Sequence, residues 1–302
     1  MKHQPLLKRY AKALSTVLIP ESLRVVGYPI ARGRPPVNPF YIRTFNDLLN
    51  QKKLRERYAE VCFTQDKLLA KDWVSVKAPD IGIPKTLAVY ETAGQLKDAI
   101  SKGEIPSLCI IKTNHGAGFN YIFDKERAEP SETISKKFSY ATAEPYNKSP
   151  VEWAYFYVNP KIYCEELLSD SNTQTPPPDY KVFVFNGTPK MIQVDVDRFI
   201  DHKRCLFDTS WNLLNVEYEY PMPEKSPKKP CSLDRILDAA SKIARPFTFC
   251  RVDFYVVDGH PFFGEMSHYP EGGYGRFNPR SFNRELYLKG FTDAAFEGIY
   301  YA

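Results

Sequence analysis

Arg251, Asp253 and Glu265 are an arginine and two acids set into an otherwise hydrophobic stretch, "RVDFYVVDGHPFFGEMSHYPEGGYGRF", residues 251–277. The runs from Val252 to Val257 and from Pro261 to Met266 are β-branched and aromatic, and Asp258-Gly259 between them is a turn signal, so the stretch reads as a β-hairpin. Side chains alternate along a strand, so Arg251, Asp253 and Tyr255 share one face, as do Phe263, Glu265 and Ser267. Whether the two sets coincide depends on loop parity. A two-residue loop at 258–259 pairs residue 253 with 264 and separates the acids. A three-residue loop, Val257-Asp258-Gly259 with the glycine left-handed, pairs 253 with 263 and unites them, and it suits a glycine in third position. Two carboxylates on one face beside an arginine form an oxygen-ligand site for a hard cation, which also favours the second option. An ion pair of Arg251 with either acid on a solvated face accounts for the same residues.

A second candidate is "IIKTNHGAGFNYIF", residues 110–123, a glycine-rich turn behind a strand. Walker A and dinucleotide loops feed a helix whose N-terminus holds phosphate. Here Phe119, Tyr121 and Phe123 alternate with Asn120 and Ile122, so the loop leads into a strand and both motifs fail. A flap whose bare backbone amides close over phosphates fits instead, with Lys112 in the strand before it; a plain hairpin with an exposed lysine is the simpler alternative. No Ser/His/Asp set suited to nucleophilic catalysis can be assembled.

The elements that must carry these residues come as hairpins with helices grouped between them. "YKVFVFNGTPKMIQVDVDRF" is a hairpin around Asn186-Gly187, and "SLDRILDAASKIA" is an amphipathic helix with Leu233, Ile236, Leu237, Ala240 and Ile243 on one stripe. Thr44 caps a helix with Asp47 at its third position, near to a capping box, and a further helix starts after Thr64. "SDSNTQTPPPD" is a linker or loop. This order argues an α+β fold with antiparallel sheets. The 302 residues permit one large domain or several sub-domains, and a net charge of +5 is mild for a nucleic-acid binder, which needs a clustered excess; an anionic nucleotide needs only a local one. The six cysteines show no metal-binding spacing and, with no signal peptide, suit a reducing cytoplasm. No apolar run approaches the ~18 residues of a spanning helix. Residues 2–18 read as a basic amphipathic helix that packs on its own protein, on a second copy in a homodimer, or on the inner face of an anionic membrane.

Four stretches in this order resemble ATP-grasp enzymes: Asp66-Lys67 opening a helix that leads to "GIPKT", "CIIKTNHGAGFNYIF", "IYCEELL", and the opening hairpin as an R-x-D … E-x-N metal element. "RTFNDLL", "DYKVFVFNGTPKMIQVDVDRF" and that hairpin are similar to the TupA-like branch, over roughly residues 35–290. The resemblance implies two α+β sub-domains gripping ATP between antiparallel sheets, with a helical N-terminal extension at 1–60, an α/β segment at 61–106, a small sub-domain with the flap at 107–170 and a large one with the metal hairpin at 171–302.

It also implies roles. Lys67 and Lys112 neutralise nucleotide phosphates, His115, Gly116, Ala117 and Gly118 fold over them, and Lys181 is a further phosphate-facing base. Glu165 receives the adenine amino group, with backbone contacts from Glu166 and Leu168. Asp253 and Glu265 bridge one or two magnesium ions, and Arg251, with Lys112, serves the transferring phosphoryl group. Ser267 stands where the family has an asparagine ligand, which leaves a second ion less well held. Arg198, His202, His268, Gly272, Gly273 and Arg276, in charge-rich stretches beside this site, are candidates for gripping an acidic acceptor. The implied reaction joins a uronate or glutamate-type carboxylate, small or glycan-linked, to an amine through an acyl phosphate, in bacterial surface polysaccharide or peptide-polymer synthesis, with no nucleic acid involved. The alternatives are an ATP-grasp kinase acting on a hydroxyl and a nucleotide-binding subunit without turnover.

Overall fold

The computed structural model describes residues 18–143, 151–169, 177–196 and 201–292. Most of the basic N-terminal helix expected at 2–18, most of the linker around 170–176, and Arg198 lie outside them. The first described helix is α1 (Glu21–Ala31), followed by α2 (Phe45–Arg55). Thr44 and Asp47 form a full capping box on α2, although aspartate replaces the more usual glutamate or glutamine there. The helix expected after Thr64 is two helices. α3 (Ala59–Gln65) ends at Asp66, whose carboxylate then caps α4 (Lys67–Lys77) by accepting from the Leu68 and Leu69 amides.

The small sheet contains β1 (Thr86–Tyr90), β2 (Leu108–Thr113), β3 (Asn120–Asp124) and β4 (Ile162–Glu165) in the order β1-β4-β2-β3, all antiparallel. Helices α5 (Ala93–Lys102) and α6 (Ser131–Ala143) supply Leu96, Ile134 and Phe138 to its core, against Cys109, Ile111, Ile162 and Cys164. β1, from the segment ahead of residue 107, is therefore an edge strand of the same sheet as the flap.

The large sheet contains β5 (Asp179–Phe185), β6 (Thr188–Val196), β7 (Lys203–Phe207), β8 (Leu213–Leu214), β10 (Phe249–Val257) and β11 (His260–Ser267), ordered β11-β10-β5-β6-β7-β8. A short ribbon of β9 (Glu217–Tyr218) with β12 (Phe277–Asn278) flanks it, and α7 (Leu233–Ala244) and α8 (Phe282–Gly290) pack on its faces. Val182, Val184, Cys250, Val252 and Phe254 point to one face and pack on the Ile236, Ala240 and Ile243 stripe of α7 and on Ala70 and Val74 of α4. The opposite face is split. Phe183, Phe185, Met191 and Phe249 are covered by Phe45 of α2 and Phe282 and Leu286 of α8. The other half of that face holds Asp179, Lys181, Gln193, Asp195, Arg251 and Asp253, each at most 7% exposed. A hydrophobic sheet face that turns charged half-way along its strands marks where covering helices end and a polar site begins.

Candidate active site

Val257 pairs with His260, so the loop of the β10–β11 hairpin is the two residues Asp258 and Gly259, both at positive φ (50° and 78°), and not the three-residue loop expected. By parity that loop alone would put Asp253 and Glu265 on opposite faces. A β-bulge restores the match: Phe254 pairs with Phe263 but Asp253 pairs with Glu265, leaving Gly264 as the extra residue. A Cβ on Gly264 would sit 3.1 Å from both the Asp253 carbonyl oxygen and Tyr255 Cε2, which is why a bare residue stands there. Asp253 and Glu265 thus face each other across the ladder, with Arg251 opposite Ser267 on the same face.

Arg251 grips Asp253 within its own strand, Nε donating to Oδ1 and Nη2 to Oδ2, both at 2.7 Å. Lys181 on the adjacent β5 donates to Asp253 Oδ2 at 3.0 Å, is paired with Asp179, and lies 3.8 Å from Asp195. Beyond it Arg204 donates from Nε to Asp195 Oδ1 at 2.6 Å and from Nη1 to Glu271 at 3.0 Å. Burial pushes the Asp253 carboxyl up against the pull of Arg251 and Lys181. The same burial works against the charge on Lys181 and Arg251, but carboxylates on both sides outweigh it and both are raised. Asp195 is likewise buried, yet Lys181 and Arg204 bring it well below the usual carboxylate range. Glu265 is different: its side chain is 37% exposed, and its cations, Arg251 and Lys67, stand off at 3.5 and 3.6 Å.

Lys67 opens α4 and reaches both sheets. Its ammonium donates to the Gly116 carbonyl at 2.8 Å and faces Glu265 at 3.6 Å, while its backbone N–H donates to the Asn114 carbonyl at 2.8 Å; burial lowers its pKa. Trp73, two turns along, donates to the Ile243 carbonyl at 3.0 Å and seats α4 on α7. Asn114 fastens the flap base, donating to Asp66 Oδ2 at 2.8 Å and to the Asn159 carbonyl at 3.0 Å and accepting from the Lys161 amide at 2.7 Å. Above it Gly116 and Gly118 take φ of 71° and 86°, and Ala117 and Gly118 are exposed. On β2 the Lys112 ammonium pairs with Glu165 of β4, and Lys71 of α4 holds the other oxygen of Glu165 at 2.7 Å. The flap of the small sheet and the hairpin carboxylate of the large one therefore meet at Lys67.

The model of the TupA-like ATPgrasp family matches residues 47–288. The chain belongs to the TupA-like ATP-grasp family. No curated protein sequence matches it. Among solved structures, the ATP-grasp ligase PsnB complexed with minimal precursor aligns at 13% identity over 74% of this chain and 59% of that one, TM-score 0.40. D-alanine–D-alanine ligase from Bacillus anthracis complexed with ATP aligns at 14% identity over 82% and 62%, TM-score 0.39. The ADP complex of purK, N5-carboxyaminoimidazole ribonucleotide synthetase, aligns at 12% over 68% and 45%, TM-score 0.41. The chain thus spans less than two thirds of the length of each.

Within this TupA-like chain, several candidates stand apart from the charged face. His115 is 1% exposed and turned in toward the Ala141 backbone of α6; burial lowers its pKa to about 4, so it is a neutral packing group and not part of the exposed flap tip. His268, a candidate for the acceptor, is fully buried against Phe247 with Nε2 2.8 Å from Thr64 Oγ1, and burial drives its pKa well down. It is a core histidine, because the alternation that points Ser267 at the site points His268 away. The Gly272 amide closes a turn on the Tyr269 carbonyl at 2.8 Å, so it does not face an acceptor. The carbonyls of Gly272, Gly273 and Gly275 are held by Lys53, Asn50 and Asn46, one buried stripe of α2. Arg276 is exposed and reaches the Gly33 carbonyl at 2.9 Å, not the charged face. His202 lies tilted against Tyr220, ring centroids 3.7 Å apart, with Nε2 3.3 Å from Asp195, at the edge of that face. Glu166 exchanges hydrogen bonds with the backbone of Lys85, which leaves its amide committed; Leu168 is half-buried beside it.

Asp179, Asp195, Arg204, Gln193 and Lys71 were not singled out from sequence. The first two share the strand parity of Lys181 across β5 and β6, a signal that alternation could have supplied. Lys71 follows Lys67 by one helical turn, but that spacing alone says nothing of Glu165.

Proposed function

We propose that the chain is an ATP-dependent carboxylate–amine ligase working through an acyl phosphate. The observation that carries the reading is Lys67, whose one ammonium touches the flap carbonyl of Gly116 and faces the hairpin carboxylate of Glu265. Cations suited to a triphosphate and carboxylates suited to its metal are thereby within one side chain of each other. Among the described residues no three His, Cys, Asp or Glu side chains are grouped to hold an ion alone. Asp253 and Glu265, directly opposed, suit magnesium, which takes one or two carboxylates and completes its shell with phosphate oxygens and water. Ser267, across from Arg251, would add a neutral oxygen. Bound there, magnesium would neutralise phosphate charge.

In this reading Lys67, Lys112 and Lys181 bind and orient the phosphates, the 116–118 backbone excludes water over them, and Glu165 accepts from the adenine amino group. A substrate carboxylate oxygen attacks the γ-phosphorus and the bond to ADP breaks, with Arg251 stabilising the charge on the transferring group. An amine then attacks the carboxyl carbon, loses its proton, and phosphate leaves with the carboxylate oxygen. The finer assignment, a uronate or glutamate-type acid joined to an amine in bacterial surface polymer synthesis on the cytoplasmic side, is part of the same proposal. It is compatible with the free cysteines of the chain and with the absence, among the described residues, of any helix long and apolar enough to cross a membrane.

The test is isotopic. Acids labelled with ¹⁸O in the carboxylate are screened against amines with Mg-ATP, and label should appear in released phosphate. Phosphate retained on the product identifies a kinase instead, and AMP with pyrophosphate refutes the phosphoryl chemistry altogether.

A further inference from the structure

Lys71 belongs to no motif recognised in the sequence, yet its ammonium is the most completely bonded of those around Glu165. An ammonium has three donors. Those of Lys71 go to the Pro84 carbonyl at 2.7 Å, Thr86 Oγ1 at 2.9 Å and Glu165 Oε2 at 2.7 Å. Thr86 lies directly opposite Glu165 in the β1–β4 ladder, so the second contact comes from the strand beside the carboxylate itself. Lys112 is bonded differently. Among the described residues its ammonium has a single partner, Glu165 Oε1, and two of its donors are unused.

One carboxylate thus carries two cations, one also tied to a backbone carbonyl and a threonine hydroxyl, and one tied only to the carboxylate. An arriving polyphosphate offers Lys112 several anionic oxygens and competes for it alone. Lys71 has nothing to gain by moving, since it would leave a buried carbonyl and a buried carboxylate unpaired. Glu165, 4% exposed, would then keep one counter-ion on Oε2 and present a freed Oε1. The geometry points to Lys71 as a specificity-determining positioning residue: it fixes Glu165 by its Oε2, so that the oxygen vacated by Lys112 accepts an exocyclic amino group of the bound base. This rests on the reading of the site as an ATP site and adds how adenine is told from guanine. A base with a carbonyl at that edge would place oxygen against Oε1, and would be refused.

The experiment measures ATP and GTP affinity by titration calorimetry with magnesium. Wild type should prefer ATP. Lys71→Met should weaken ATP by about tenfold or more and bring the ATP:GTP ratio towards one, the loss expected for a hydrogen bond to a charged group. Thr86→Val removes one tether and neither charge, so it should lower the ratio by a smaller factor, and it covers the case in which Lys71→Met does not fold. In a Glu165→Gln background, Lys71→Met should leave the ratio unchanged, which a general structural role would not produce. An intact ATP preference in both Lys71→Met and Thr86→Val overturns the inference while leaving the ATP reading in place. Wild type binding both nucleotides alike also overturns it, and wild type binding neither overturns the ATP reading itself.

Discussion

Replacing Asp253 with asparagine tests both its electrostatic and its metal-binding role. The carboxylate is 2% exposed and accepts three charge-assisted hydrogen bonds, at 2.7, 2.7 and 3.0 Å, from Arg251 and Lys181. Asparagine has the same shape, but it offers those cations no charge and turns a donor toward one of them. Removing one partner of a buried pair costs about 3–5 kcal/mol. Asp179 still pairs with Lys181, and Glu265 still faces Arg251 at 3.5 Å, which points to the lower end, about 3 kcal/mol. For a chain of 302 residues that is a fall in melting temperature of about 5 °C. The assay is a thermal melt of wild type and Asp253→Asn, each in EDTA and with Mg-ATP. Wild type at a hundredfold excess over Kd should gain about 2.7 kcal/mol from the nucleotide. The variant should start lower and lose the magnesium-dependent part of that gain. A variant that melts with wild type in EDTA refutes the buried charge coupling, and one that keeps the full magnesium-dependent rise refutes Asp253 as a ligand.

Three further outcomes follow from particular contacts. Gly264→Ala places a methyl 3.1 Å from the Asp253 carbonyl and the Tyr255 ring, so it should cost about 1–3 kcal/mol by urea unfolding and impair magnesium-dependent nucleotide binding; unchanged binding would show that the bulge does not align the acids. Burial, opposed by Glu152, lowers the Lys53 pKa from 10.5 to about 7. The unfolded chain therefore holds a proton between those values that the folded chain has released, so this group makes stability rise with pH across that window, by up to about 1.4 kcal/mol per unit. Unfolding free energies from pH 7 to 9 should show that slope in wild type and less of it in Lys53→Met. The exposed tip at Ala117 and Gly118 should exchange its amides quickly when empty and slowly under Mg-ATP, and equal exchange in both states would remove the flap from the site.

Local chemistry decided much of this protein. Asp258-Gly259 makes its turn, Asn186-Gly187 makes another, Thr44 with Asp47 caps a helix, and Arg251 reaches Asp253 because residues two apart on a strand share a face. Each depends on groups a few residues apart, whose distance the backbone itself dictates, so each was legible in the chain. The spacing of the flap lysine and the hairpin acids was legible for the same reason, as a pattern of types. The alignment of Asp253 with Glu265 was not. It was expected from a three-residue loop, and the folded protein reaches it by a two-residue loop and a bulge at Gly264, because packing of Val252 and Phe254 on α7 and of Phe263 beside them selects the ladder register. His268 and Gly272 looked like acceptor contacts until burial and a closed turn removed them. Lys71 on Glu165, Arg204 on Asp195 and the α2 stripe on the 272–275 carbonyls join residues from separate elements. Which distant groups pair is set by how helices and strands stack to bury apolar surface, and buried charges must then find partners wherever that stacking leaves them.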